Sequence, residues 1–462
     1  MATNTPGGYA LTGLNDSNFI WSSSTLKPHY DGNIVKRFGD QRFNFTDMID
    51  IFGGASEIPA LYHQWFQEDR IMRKITASTA GAAANAAATF TLSATTPTQS
   101  IAISTYSPPF PTASSYIGGV TANINDLIAI APTTGANAGT VIKAIVKTVS
   151  ASGLTFTATP IILGEAIPAL SAGTEIVVYG GAFPDVATDP YSEAYRVDEF
   201  ANNMHKHRRN FTIGQTAAGI DTWLTDGRKF WSASGERNTY IKFMNEVDMI
   251  SLVGEAMTNP AASNTTNPTS TTTGVIDQVL AQGYTQSYTF SNGFGIPDWT
   301  VFTAGIEKNK GALEYAALNG GDLQRSIELK LADFFKNGAI SYGEYVGNEA
   351  KAVSMNFKTL YWSGRVYHFH NFNIFSDYQT LGATGMPYIK EGLFLPLSGV
   401  DTGGEKSFSV QMLYQAGNRM KQAVVDPFKT TETGADTLIF RYGSTFMPVV
   451  RAAAQGAYIF AN

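Results

Sequence analysis

Few residues of this chain stand where chemistry could use them, and Asp401 is the first to weigh. Asp401-Thr402-Gly403 matches the core of an aspartic protease signature, in which two carboxylates share one proton. That chemistry needs a second copy of the motif or a dimer. No second Asp-Thr-Gly occurs, Gly404 follows the first, and only Val400 ahead of it is apolar, so a tight Gly-rich turn accounts for these residues better. The run from Gly399 to Ser407 resembles a phosphate-binding loop until it is counted. Glu405 stands where the phosphate-binding lysine must follow the last glycine, and a carboxylate there repels phosphate. The sequence has no Gly-x-Ser-x-Gly elbow and no His-Glu-x-x-His helix.

Two His-x-His pairs remain, His205/His207 and His368/His370. On a strand each pair points to one face, a geometry that a metal ion could use with a third ligand. No Asp or Glu lies within five residues of His370, and the first pair sits among cations, in His205-Lys206-His207-Arg208-Arg209. Structural histidines are therefore the expectation at both places. The 205–209 cluster could also touch phosphate, line a solvated strand, or pair with an acidic group of another subunit. Cysteine is absent, which excludes a thiolate nucleophile, a disulfide framework, a zinc finger and an iron–sulfur cluster. The sequence thus predicts no catalytic, cofactor-binding or metal-binding residue, no cofactor and no enzyme.

The elements that carry these residues change character along the chain. Residues 1–42 are polar and rich in Gly, Asn, Ser and Thr, with anchors at Phe19, Ile20, Trp21 and Phe38, so they are expected to be disordered or to drape over another surface. Residues 43–52 read as one short helix or strand stopped by Gly53-Gly54. In 57–75, Ile58, Leu61, Tyr62, Trp65, Phe66 and Met72 fit a helical stripe better than strict alternation. Residues 76–190 then carry only seven charged side chains, and the period becomes two. Ile142, Ala144 and Val146 form one face against Lys143 and Lys147. Beyond a turn at 150–153, Leu154, Phe156 and Ala158 alternate with threonines, and 127–130 and 176–179 supply further strands. A small antiparallel sheet or barrel is expected.

From 191 the composition returns to normal. Residues 191–214 look extended. Residues 239–257 form an amphipathic helix with Tyr240, Phe243, Met244, Val247, Ile250 and Gly254 on one stripe and Lys242 and Glu246 off it. An Asn/Thr/Ser/Pro loop over 259–274 is long enough to be exposed or to contact a neighbour. A second helix is predicted over 322–335, with Asp322 as its cap and Leu323, Ile327, Leu331 and Phe334 on one face. Strands are expected at 353–357, 366–372 and 457–460, and no internal repeat is present.

Composition narrows the class of partner. The chain has 462 residues, 32 basic against 38 acidic, for a net charge of −6. That balance argues against coating or condensing nucleic acid, which needs a dense basic face. Only 15% of residues are charged, against about 25% in ordinary soluble domains. So few charges suit a chain that hides much of its surface against partners. No run of apolar residues is long enough for a membrane-spanning helix, and the start lacks the basic-then-apolar pattern of a secretory signal. The expected compartment is a cell interior, or a particle assembled there.

The order of these parts resembles the major capsid proteins of tailed bacteriophages, the Hong Kong 97-type fold, and is also similar to those of the crAss-like phages. The segment 43–54 followed by Leu61-Tyr62-His63-Gln64-Trp65-Phe66-Gln67-Glu68-Asp69 is similar to the entry into that family's extended loop. Ile167-Pro168-Ala169, Gly173-Thr174-Glu175-Ile176-Val177 and Gly180 resemble the closing stretch of a module inserted in it. Tyr191-Ser192-Glu193-Ala194-Tyr195-Arg196-Val197 resembles the returning strand, 216–257 the spine helix region, and Thr272-Thr273-Gly274-Val275-Ile276-Asp277 the step after it.

The resemblance implies an α+β fold with an inserted small all-β, barrel-like domain in the extended loop, and makes 60–75 a strand against the periodicity. The implied parts are an N-terminal arm (1–59), the first strand of the extended loop (60–75), the inserted β-rich domain (76–190) and the return strand (191–215). A peripheral domain with the spine helix (216–335), an axial domain (336–450) and a C-terminal strand returning to the peripheral domain (451–462) follow. The implied function is self-assembly through pentamers and hexamers into an icosahedral head enclosing double-stranded DNA. Implied partners are other copies of itself, portal and decoration or auxiliary capsid proteins, and packaged DNA non-specifically, with no membrane. The implied location is the virion, assembled in the host bacterial cytoplasm. Three alternatives stand beside it: a tail tube or sheath component, a β-rich glycan-binding adhesin, and a hydrolase using Asp401.

Overall fold

Aromatic and aliphatic residues at helical spacing in 43–52 close a short helix, α1 (Phe45–Ile51), with Phe45 and Ile49 fully buried. It stops where the chain runs against its neighbour: a Cβ at Gly54 would lie 2.7 Å from the carbonyl oxygen of Val410. In this computed structural model the described residues are 42–52, 54–68, 74–92, 122–132, 139–150, 155–185, 197–214, 230–259, 269–336, 359–397, 400–401, 406–407, 409–425 and 437–462. The chain divides into two compact units, one of residues 1–63 with 201–462 and one of 64–200.

Two large sheets are described in the first unit. A five-stranded sheet runs β1 (Ala55–Ile58), β18 (Val410–Gln415), β20 (Thr437–Val450), β10 (His205–Gly214), with β19 (Lys421–Val425) also paired to β20. β1 lies parallel to β18 and the remaining pairs are antiparallel. The long helix α2 (Phe230–Val253) packs on it, placing Phe243 and Val247 with Tyr442 and Phe446 in one core. Leu318, Leu393 and Tyr458 of the second sheet share that core.

The second sheet has the order β11 (Tyr284–Tyr288), β21 (Ala457–Ala461), β15 (Gly392–Pro396), β12 (Glu314–Asn319), β14 (Arg365–Asn371), β13 (Thr359–Trp362). Helices α4 (Ile296–Lys308) and α5 (Gly321–Lys336) bury Trp299, Phe302 and Ile327 against Tyr315, Tyr367 and Phe394 in an aromatic-rich core. The short helix α3 (Val275–Gln282) follows α2, and α6 (Asn373–Ser376) follows β14.

In the second unit six strands close into a barrel: β3 (Lys74–Thr79), β4 (Ala88–Leu92), β7 (Thr155–Pro160), β6 (Ile142–Val149), β5 (Asp126–Ile130), β8 (Thr174–Gly181), and back to β3. Alternation decides which side chains fill it. Ile142, Ala144 and Val146 point inward while Lys143 and Lys147 are exposed, and Phe90 stacks on Phe156 at 4.8 Å between centroids. Among the described residues there are also two small pairs: β2 (Tyr62–Glu68) with β9 (Val197–Asn203), and, in the first unit, β16 (Val400–Asp401) with β17 (Lys406–Ser407).

Several expectations change. Among the described residues of 57–75 the helical stripe gives way to strand, with Met72 outside them: β2 buries Trp65 and leaves Tyr62 and Phe66 48% and 62% exposed, and Leu61 just before it is 59% exposed, so the apolar count measured surface as well as core. Asp322 is not a cap. It lies in the first turn of α5, ion-paired to Arg325, and Gly321 at the helix start donates its N–H to Ser376 Oγ at 3.0 Å. The amphipathic helix starts earlier than predicted and ends at Val253, ahead of Gly254. A cut between 335 and 336 separates β12 from β14, which pair in parallel. Likewise β18 and β20, expected with the axial part, pair with β1 and β10, and β21 joins β11 and β15. The strand predicted at 353–357 and the arm before residue 42 lie outside the described residues.

Candidate functional site

β10 places the basic cluster across a sheet, not along a loop. Its residues alternate, so His205, His207, Arg209 and Phe211 face α2 while Lys206, Arg208, Asn210 and Thr212 face the other side. The His207 ring stacks on Phe243 at 5.2 Å, and its Nε2 lies 2.9 Å from Glu246 Oε2 on α2. Arg209 Nε donates to the same oxygen at 2.6 Å. Burial holds the His207 imidazole below its ordinary value, and the Arg209 charge adds to that, against the pull of Glu246. A neutral His207 therefore donates from Nε2 to the carboxylate. Burial works to raise Glu246, but the hydrogen bonds from Arg209 and His207 outweigh it and the carboxyl ends below its usual range. His205 is held down by burial and then by His207, against a hydrogen bond to the Ser270 backbone.

The second pair has a partner that a window along the sequence cannot reach. β12 runs parallel to β14, and this brings Glu314 Oε1 to 2.8 Å from His368 Nε2. Thr359 Oγ1 on β13 lies 3.3 Å from the other ring nitrogen. His370 is exposed at the end of the strand. Among the described residues no three His, Asp or Glu side chains are grouped so as to hold a metal ion.

Asp401 and Lys406 oppose one another in the β16–β17 pair, with Thr402 to Glu405 between them outside the described residues. A strand returning on a strand has no helix N-terminus to receive phosphate, unlike the loop that 399–407 superficially matches.

The most buried carboxylate was not singled out by any motif. Asp248 on α2 accepts the Thr46 N–H at 2.9 Å and the Thr46 hydroxyl, while Asn245 one turn earlier accepts the Phe43 N–H at 2.9 Å. Asp248 thus satisfies a backbone donor that α1 leaves open in its first turn, and Asn245 holds the residue before its N-cap, Asn44. Burial pushes the Asp248 carboxyl up to about 6, against the hydrogen bonds from Thr46 and the Phe45 backbone. An Asn-x-x-Asp step on one helix face is the sequence trace of this clamp, but what it clamps is about two hundred residues away.

The remaining surface of interest is the β2–β9 ribbon. Trp65 stacks on Phe200 at 6.1 Å and Gln64 hydrogen-bonds Glu199, while Tyr62 and Phe66 project from the ribbon exposed. Among the described residues no helix is long and apolar enough to cross a membrane.

No protein-family model matches the sequence, and no curated protein matches it. Solved structures similar to the chain include a capsid of the cyanophage P-SCSP1u, at 12% identity and TM-score 0.35 over 62% of this chain and 81% of that one. The capsid of a native GTA particle is similar at 8% identity and TM-score 0.39 over 95% of both chains. A structure from Microbacterium phage Oxtober96 is similar at 10% identity and TM-score 0.41, covering 95% of this chain and 97% of that one. Likenesses this distant assign neither family nor function.

Proposed function

We propose that this chain is the major capsid protein of a tailed phage, which assembles through pentamers and hexamers into an icosahedral head around double-stranded DNA. The observation that carries the reading is the β2–β9 ribbon. A two-stranded ribbon is at best marginally stable in water, and this one leaves Phe66 62% exposed instead of burying it. Such a ribbon is stabilised when a neighbouring subunit covers it. The low charge of the chain and its polar arm over 1–42 favour the same reading. The role is geometric, with no reaction and no cofactor.

In this reading the barrel is a domain inserted in the extended loop, bounded by strands at 60–75 and 191–215. The five-stranded sheet with α2 as spine helix forms the peripheral part. The six-stranded sheet with α4 and α5 forms the axial part that surrounds the ring axes. Of the expected arm over 1–59, residues 43–58 belong to the chain's own core through α1 and β1, so it is the polar stretch over 1–42 that lies across adjacent subunits. Portal and decoration proteins are neighbours in the virion, built in the host cytoplasm.

The test is sedimentation of the expressed protein followed by negative-stain electron microscopy. Closed polyhedral shells, or pentamer and hexamer rings, are the expected result. Tubes would transfer the chain to a tail tube or sheath. A small monodisperse species that binds a glycan array would make it an adhesin, with the barrel as its binding module.

A further inference from the structure

We propose that the β10 end of the sheet face turned away from α2, beyond the buried Thr445 and Met447, binds the phosphate backbone of nucleic acid, through Lys206, Arg208 and Arg441. This rests on the shell reading only for the source of the nucleic acid. β10 and β20 pair so that Lys206 stands opposite Thr445, Arg208 opposite Gly443 and Asn210 opposite Arg441. Directly opposed residues in an antiparallel pair share a face, and the face of His207, Arg209 and Phe211 belongs to α2. Lys206, Arg208, Asn210, Thr212 and Arg441 are all exposed. The Arg208 stem lies along Gly443, where a Cβ would make only ordinary contact, 3.6 Å from Arg208 Cγ.

The charges on the two faces of β10 are treated differently. On the α2 side Arg209 and His207 share Glu246. On the other side, among the described residues, no carboxylate pairs with Lys206, Arg208 or Arg441. The outward row of β10 reads Lys, Arg, Asn, Thr, each able to donate a hydrogen bond and none carrying negative charge. Successive outward residues advance about 6.8 Å along a strand, a spacing that lets several address one run of phosphates.

A second copy of the chain is the poorer match for this row. No six-residue window of the sequence holds three carboxylates, so no strand of a partner presents an acidic row to complement it. A polyanion with regularly spaced charges does.

The experiment uses the full-length protein and a fluorescent duplex of arbitrary sequence, with anisotropy read across about 50 to 200 mM salt, where each phosphate contact contributes about −0.9 to the slope of log affinity against log salt. Substituting Lys206→Gln, Arg208→Gln and Arg441→Gln together should reduce the magnitude of the slope by about 2 to 3 and weaken binding at the lower salt about tenfold or more. Lys242→Gln on the outer side of α2 should change neither. Arg441→Gln alone, expected to reduce the slope by about 1, keeps the test open if the triple variant folds poorly. An unchanged slope and affinity in the triple variant overturns the proposal. So does a triple variant that binds duplex normally but no longer self-associates, which would give this face to a second copy. Electron microscopy of the same samples separates the two readings. Shells with an unchanged salt slope reject the phosphate face alone, and loss of duplex binding without shells in the parent protein rejects the shell alone.

Discussion

Burial holds the Asp248 carboxyl at about 6 against an ordinary 3.8, and this fixes the sign of its contribution to stability. Between those values the folded chain keeps a proton that the unfolded chain has released. The stabilisation is complete below the unfolded value and is lost as pH rises through about 6. Asp248→Asn keeps an acceptor for the Thr46 N–H and removes the titration. Its melting temperature should gain on the parent protein between pH 4 and 7, measured as a difference between the two curves, and a constant offset would refute the assignment. His207 and Glu246 act in the opposite sense, because both are held below their ordinary values and lose their stabilisation as pH falls. Glu246→Gln leaves Arg209 without its anion and should cost about 1–2 kcal/mol in urea unfolding at neutral pH. The histidine pairs and the basic cluster were legible in the sequence, but their partners were not. Glu246 and Glu314 reach them only through helix-on-sheet packing and a parallel strand pair.

At the scale of elements, alternation was a dependable guide where both faces of a strand have different neighbours. The expected faces of β6 are those of the barrel wall, and Phe156 is buried with Phe90 at its centre. Phe156→Ala should cost about 3–5 kcal/mol, read as an early loss of barrel structure in hydrogen exchange. β2 escaped the same logic because Tyr62 and Phe66 are apolar and exposed, so a count that equates apolar with buried returns the wrong period. The junction of α2 and α3 shows a second limit of sequence reading. A Cβ at Gly274 would fall 2.4 Å from the Leu252 carbonyl oxygen and 2.6 Å from the Gly254 nitrogen. Gly274→Ala should therefore destabilise by about 1–3 kcal/mol through overpacking, and an unchanged denaturation midpoint would show that the two helix ends separate freely. Nothing local in Thr273-Gly274-Val275 announces that approach.

For the whole molecule, the shell proposal is tested by association. Phe66→Ser should leave the melting temperature of the unassembled chain within the narrow range of ordinary surface substitutions, yet lower the sedimenting fraction and the number of closed particles. Removing residues 1–40 should leave soluble chains that form shells poorly, and unaffected shells would deny the arm a role. The overall class, α+β with a strand-rich segment low in charge, was readable from composition and period. The partition of the remainder was not, because strand order in a sheet ignores sequence order. Residues on either side of 335 share the six-stranded sheet, and the segment after 409 returns to strands laid down near residues 55 and 205.

That return gives the chain a direction in time. Ala55 of β1 pairs with Met412 of β18, and among the described residues β10 finds its neighbour in β20, more than two hundred residues later. During synthesis β1 and β10 emerge long before the strand that joins them, so the sheet under α2 stays open until residues 437–450 have been made. A prematurely terminated chain lacks β20 and with it the surface that seats α2. It is marked as incomplete by its own unpaired strand edges.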